Sequence, residues 1–244
     1  MKNIKLTLEY DGTNYYGWQR QSDKETIQGT LEKAIKDLTK ENIEVIGCSR
    51  TDAGVHAAGF IAMFKTDSTI PPTKFREALN CRLPDDIAIL KSEEADVEFH
   101  PRYNAKGKSY CYTIFNDIAP TALKRNYTYH YKYELNVEAM KEAAGYFLGT
   151  HDFIALRSEG SSVKTTVRTI YDLKVEKEGK EIKITVTGDG FLYNMVRIIV
   201  GTLINVGRGK NQPKDIVNII ESKDRKLAGD CVPAKGLRLQ EVYY

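Results

Sequence analysis

Apolar and polar positions alternate from Lys2 to Asp11. Ile4, Leu6, Leu8 and Tyr10 fall on one side and Lys5, Thr7 and Glu9 on the other, which predicts a half-buried strand. The Gly-punctuated stretch GTNYYGWQRQ follows as a loop carrying three aromatics and one arginine. From Thr26 the period turns helical, with Ile27, Leu31, Ala34, Ile35 and Leu38 in one stripe and Lys33, Lys36 and Asp37 outside it. Ile43 to Ile46 and Phe60 to Phe64 read as buried strands, Pro71-Pro72 opens a helix containing Phe75, Ala78 and Leu79, and Asp86 to Leu90 reads as a further strand.

The second half repeats the theme. Ser109 to Phe115 is a predicted strand, and Asn136 caps a helix running through Phe147. Thr169 to Glu176 and Glu181 to Thr187 alternate on either side of a Glu-Gly-Lys turn, as a hairpin does. Phe191 to Val206 reads as an apolar helix ended by Gly207; Pro213 starts a shorter one, and Leu237 to Tyr243 alternates again. The expected class is α+β, in two similar-sized lobes of mostly antiparallel sheet with helices on their outer faces. A soft boundary near residue 100 gives lobes of 1–100 and 101–244.

Composition narrows the choice of function little. The 244 residues are 41% hydrophobic and 28% charged, which excludes a disordered or collagen-like chain. A net charge of +3 is only mildly basic, so the case for a nucleic-acid partner rests on where the cations sit. The opening MKNIKLTLEYDG lacks an apolar region followed by a small-residue cleavage site. Phe191 to Val206 is too short to span a bilayer and carries Arg197 near its middle, so no membrane association is expected. Cys48, Cys81, Cys111 and Cys231 are scattered, and His56, His100, His130 and His151 lack metal-ligand spacing; this implies reduced thiols, a cytoplasmic location and no metal.

Three places carry candidate chemistry. In Cys48-Ser49-Arg50-Thr51-Asp52-Ala53-Gly54-Val55-His56-Ala57, an Arg, an Asp, a Gly and a His share one loop between apolar strands. By pattern alone the plainer reading leads: a tight turn in which Asp52 bonds local amides and Gly54 supplies a positive φ. Arg197, within an apolar helical pattern, either lays its stem over apolar neighbours or pairs with an anion, for which Asp52 and Asp189 are candidates. An aspartate beside an arginine stays ionised and oriented, as a nucleophile or general base must be.

The third place is Phe99 to Glu134, where seven tyrosines mix with Arg102, Lys106, Lys108, Lys124, Arg125 and Lys132 and only Asp117 and Glu134 are acidic. Rings that stack on bases, interleaved with cations that follow phosphates, suit RNA; a tyrosine-rich strand pair with a solvated face is the alternative. Gly160-Ser161-Ser162-Val163-Lys164 and Arg168 form a second small basic loop able to touch phosphates.

Together these motifs resemble the tRNA pseudouridine synthase A family. Arg50 to Ala57 looks like its signature; Leu8 to Gln21, Phe99 to Ala105, Lys108 to Tyr112, Met195-Val196-Arg197 with Val200-Gly201, and Pro233 to Leu237 are similar to its other segments, in order. The resemblance implies that Asp52 is the essential aspartate, that Tyr110 stacks on the target base, that Arg197 pairs with the aspartate, and that Arg50 helps hold the target nucleotide out of its helix. His56, His100, Arg102, Lys164 and Arg168 join Tyr110 and Arg50 as candidate substrate contacts.

The resemblance further implies two lobes meeting at a basic cleft and a homodimer on which one tRNA touches both subunits. It implies no metal or organic cofactor, and as substrates the uridines at tRNA positions 38, 39 and 40 in the anticodon stem-loop. Ser49 departs from the family's usual glycine, and Cys231-Val232 from a commoner small polar pair. Other readings are an RNA-binding module without turnover, a synthase acting on a different RNA, and a small-molecule hydrolase using Asp52 as nucleophile.

Overall fold

The structure, a computed structural model, describes residues 1–160 and 163–244. In chain order the strands and helices are β1 (Lys2–Tyr10), α1 (Ile27–Thr39), β2 (Ile46–Gly47), β3 (His56–Thr66), α2 (Phe75–Asn80), β4 (Ile87–Glu94), β5 (Gly107–Asn116), β6 (Tyr129–Tyr131), α3 (Val137–Gly145), β7 (Gly149–Asp152), β8 (Val167–Glu178), β9 (Glu181–Gly188), α4 (Met195–Gly207), α5 (Asp215–Ser222) and β10 (Leu237–Tyr243). This is the expected α+β class, with mostly antiparallel strand pairing. Among the described residues, no helix is long and apolar enough to cross a membrane.

The chain forms two compact units. The first comprises Met1–Lys106 and Arg238–Tyr244, so the final strand, read from the sequence with the second lobe, belongs with the first. Its register explains why: β10 runs parallel to β3, with Arg238 opposite His56 and Leu239 opposite Ala57. β1 pairs antiparallel with both β3 and β4, placing Leu6 opposite Ala62 and Ser92. Ile4, Leu6 and Leu8 are fully buried, as their alternation requires. Helix α1 starts where Thr26 accepts the Gly29 N–H at 3.3 Å and stops at Lys40, a left-handed residue whose N–H reaches Lys36 O. Its buried stripe of Ile27, Leu31, Ala34 and Ile35 matches the pattern in the sequence.

Of the strand expected at 43–46, only Ile46 lies in a ladder, in the two-residue β2 that it forms with Gly47. The backbone of Val45 is satisfied by α1 side chains instead. Its N–H donates to Glu32 Oε1 at 3.1 Å, and its carbonyl accepts from Gln28 Nε2 at 3.0 Å.

The second unit, Gly107–Leu237, carries antiparallel β5–β9–β8–β7, with β6 parallel to β5. The hairpin expected at the Glu-Gly-Lys turn is present: Glu178 faces Glu181, and Gly179 adopts φ 60°. Asn136 caps α3 by accepting the Ala139 N–H at 3.0 Å. Helix α4 begins at Met195, not at Phe191, because Asn194 sits in the left-handed region at φ 60° and interrupts the helical run. α4 then buries Ile198, Ile199 and Leu203, and the core of this unit also holds Tyr112, Phe147 and Phe153.

Candidate active site

In the first unit the Asp52 loop joins β2 to β3. Its entry is fixed by Cys48, whose N–H donates to Ile61 O at 2.8 Å and whose Sγ accepts the Ile61 N–H. Thr51 is buried and gripped twice: its carbonyl accepts the Trp18 N–H at 3.0 Å, and its Oγ1 lies 2.8 Å from Tyr10 Oη. Asp52 opens a tight turn, its carbonyl accepting the Val55 N–H at 3.1 Å, and Gly54 takes the positive φ, 76°, that the plainer reading of the loop foresaw.

The stretch Gly12–Trp18 lies directly against this turn. Gly17 has φ 87°, and a Cβ there would stand 2.5 Å from Thr51 O and 3.1 Å from the carbonyl carbon of Asp52. No side chain fits. Trp18 in turn stacks on Phe60 with ring centroids 4.1 Å apart, rooting the stretch in the core. The outcome is a rigid turn that leaves Asp52 half-buried and Arg50 exposed. A half-buried carboxylate on fixed backbone can act as nucleophile or base, and an exposed guanidinium beside it can meet phosphate.

His56, one of the candidate substrate contacts, lies inside the first unit. It is 4% exposed, and its Nδ1 accepts the Gly12 N–H at 3.0 Å. The Asp11 carboxylate lies 3.1 Å from the same nitrogen. Asp11 Oδ1 itself accepts the Thr13 N–H at 2.9 Å. His56 thus braces the loop from within.

His100 and Arg102 share one turn, in which His100 Nδ1 accepts the Arg102 and Tyr103 N–H groups at 3.1 and 3.3 Å. The Arg102 side chain is exposed.

In the second unit Tyr110 lies on β5 opposite Val186, 7% exposed, with its ring edge-on to Phe191 at 5.3 Å. Arg197 projects from the first turn of α4. Its Nε donates to Val232 O at 2.7 Å and its Nη1 to Asn194 Oδ1 at 2.9 Å, so the half-buried guanidinium is aimed by neutral acceptors. Asp189, the other carboxylate weighed for Arg197, accepts the Thr169 N–H at 3.0 Å.

One residue escaped notice in the sequence. Tyr112, fully buried two positions after Tyr110 on β5, donates its hydroxyl to Pro233 O at 2.8 Å. Residues Val232 and Pro233 therefore tie α4 to β5. Burial pushes the Tyr112 phenol well above the ordinary tyrosine range, against the opposing charge of Arg197. The period-2 spacing that puts Tyr110 and Tyr112 on one face was the available signal.

Of the remaining basic residues, Lys164 is exposed. Arg168, opposite His151 in the β7–β8 pair, donates from Nη1 to Thr165 O and Val167 O at 3.0 and 2.6 Å. Ser161 and Ser162 of the same expected loop lie outside the described residues.

The first unit thus holds a firmly fixed aspartate turn, and the second a buried tyrosine and an arginine aimed by two neutral acceptors. Comparison with known proteins supplies the class. The family model described as tRNA pseudouridine synthase matches residues 7–104 and 143–244. The chain is 59% identical to the tRNA pseudouridine synthase A 2 of Clostridium perfringens over 244 residues, covering 100% of both chains. It is 58% identical to the tRNA pseudouridine synthase A of Acetivibrio thermocellus and 55% to that of Clostridium acetobutylicum, again over 100% of each. The chain belongs to the tRNA pseudouridine synthase family.

Proposed function

We propose that this protein isomerises uridine to pseudouridine in tRNA, at positions 38, 39 and 40 of the anticodon stem-loop. The observation that carries the reading is Asp52, half-buried on a turn held through Thr51 by Tyr10 and Trp18, in a chain 59% identical over its full length to a tRNA pseudouridine synthase A 2. The reaction breaks the N1–C1′ bond, turns the uracil in place, and joins C5 to C1′. No atom is gained or lost, and no metal or organic cofactor takes part in the proposed chemistry.

Each residue has a part in this reading. The target uridine is extruded from its stem at a cost of roughly a few kcal/mol. Arg50, exposed on the Asp52 loop, fills the vacated space and holds phosphate. Tyr110 stacks on the base. Asp52, kept anionic by the Arg197 guanidinium, attacks the sugar or base, or removes the C2′ proton and later returns it; the C5 proton is then given up while N1 takes one up, so no proton is gained or lost overall. Residues 1–100 contribute the aspartate loop, and 101–244 the tyrosine and the arginine. His100, Arg102, Lys164 and Arg168 follow the RNA outside the reacting nucleotide. The protein acts in the cytoplasm as a homodimer, with one tRNA spanning both subunits.

The test is incubation of the purified protein with unmodified tRNA transcripts, followed by pseudouridine mapping nucleotide by nucleotide. Product confined to the anticodon stem-loop supports the reading. Product elsewhere redirects the substrate assignment, and no product in any tRNA overturns it.

A further inference from the structure

Behind the Asp52 turn stands a second pair of residues that the proposed chemistry does not use. Tyr15 is 6% exposed, and its hydroxyl donates to Asp86 Oδ1 at 2.6 Å. Burial, the Asp86 hydrogen bond and the nearby Asp86 and Glu25 charges all push this phenol above its ordinary value. It therefore remains a donor throughout the neutral range. A neutral hydroxyl donating to a carboxylate makes a short, strong hydrogen bond.

The main chain of the same tyrosine reaches the other way. Its carbonyl accepts the N–H of Gly54, two residues beyond Asp52, at 3.2 Å. Its own N–H closes the turn onto Gly12 O at 3.1 Å. Asp86 secures that turn from a second side, because its backbone carbonyl accepts the Asp11 N–H at 2.9 Å. Asp86 itself lies in the turn immediately before β4, a strand paired along β1, so the anchor is one residue from the sheet.

We propose that Tyr15 and Asp86 are positioning residues for Asp52: the Asp86 carboxylate holds the Tyr15 side chain, and Tyr15 holds the Gly54 amide that sets the direction of the aspartate turn. This rests on the reading of Asp52 as the catalytic carboxylate. Neither residue touches substrate. Their effect appears in how well Asp52 is aimed, and small misplacements of a reacting group are costly in rate.

The test uses the full chain and an unmodified tRNA transcript that the wild type modifies. Tyr15→Phe and Asp86→Ala are expected to lower kcat about tenfold while KM stays within about twofold, the signature of an interaction that matters in the transition state. Asp86→Asn keeps an oxygen able to accept the phenol and is expected to recover most of the Asp86→Ala loss. The double variant Tyr15→Phe/Asp86→Ala should be no worse than either single change.

Wild-type kcat in Tyr15→Phe and Asp86→Ala overturns the inference. So does a loss that Asp86→Asn fails to relieve, or one carried by KM in equal measure. Asp52→Asn is measured alongside. If it is inactive while the positioning variants run at the wild-type rate, only the positioning role fails. If Asp52→Asn is active, the catalytic reading fails and this inference falls with it.

Discussion

Tyr10 Oη and Thr51 Oγ1 lie 2.8 Å apart in the interior of the first unit, joining the last residue of β1 to the residue before Asp52. Replacing Tyr10 by Phe leaves the buried Thr51 hydroxyl without that partner. The expected cost is about 1–2 kcal/mol of stability, read as a lower midpoint in urea with an unchanged slope. The rate of pseudouridine formation is expected to fall as well, since the backbone next to Asp52 loses one of its fixings.

Gly17 offers a sharper change. Alanine there must adopt φ near 87° and place a methyl 2.5 Å from Thr51 O. The backbone strain alone costs roughly 1–3 kcal/mol, before the collision is relieved. Gly17→Ala is expected to lower the melting temperature and to abolish turnover together. A variant that melts normally and turns over normally would show that the two loops are not packed as described.

For Arg197→Met, both the Val232 carbonyl and the Asn194 amide oxygen lose their donor. Loss of activity with a stability loss of about 1–3 kcal/mol is expected, because half-buried acceptors are left unsatisfied. Calorimetry and turnover on one preparation check both halves.

Alkaline pH probes Tyr112. Its folded-state pKa lies above the ordinary value of 10.0 because of burial. The unfolded chain therefore loses the phenolic proton first, and the associated stability is present below pH 10 and declines as pH rises beyond it. Tyr15 contributes in the same direction. Tyr112→Phe, which also gives up the Pro233 bond, is expected to be less stable at neutral pH but to show a shallower decline above pH 10, measured by urea midpoints.

Affinity for tRNA is expected to weaken steeply with salt, since neutralised phosphates release counterions. Raising salt from about 50 to 200 mM should cost about tenfold or more in Kd if several cations contact the backbone. Arg102→Ala and Lys164→Ala should each flatten that slope by about one unit without changing kcat. A salt-independent Kd would remove the RNA role assigned to these exposed residues.

Where local rules decide the structure, they could be read in advance. The alternation of Ile4, Leu6 and Leu8, the helical period from Thr26, the cap at Asn136, and the final strand Leu237–Tyr243 all follow from near neighbours in the chain. Residues 43–46 could not be read this way, because Gln28 and Glu32 on α1 capture the Val45 backbone. The start of α4 was misplaced because an apolar pattern says nothing of the left-handed turn at Asn194. At the site, residue types pointed to Asp52 and Arg197, and the family resemblance singled out Tyr110. Gly17 as a packing surface, His56 as a buried brace and Tyr112 as a tie between β5 and α4 exist only once distant segments meet.

The most direct measurement compares Asp52→Asn with wild type on the same unmodified tRNA, scoring both pseudouridine and Kd. The substitution keeps the shape of the side chain and removes its charge. The account predicts no detectable pseudouridine with Kd within about twofold of wild type, since phosphate contacts and not Asp52 carry the affinity. Pseudouridine formed by Asp52→Asn at the wild-type rate would contradict it.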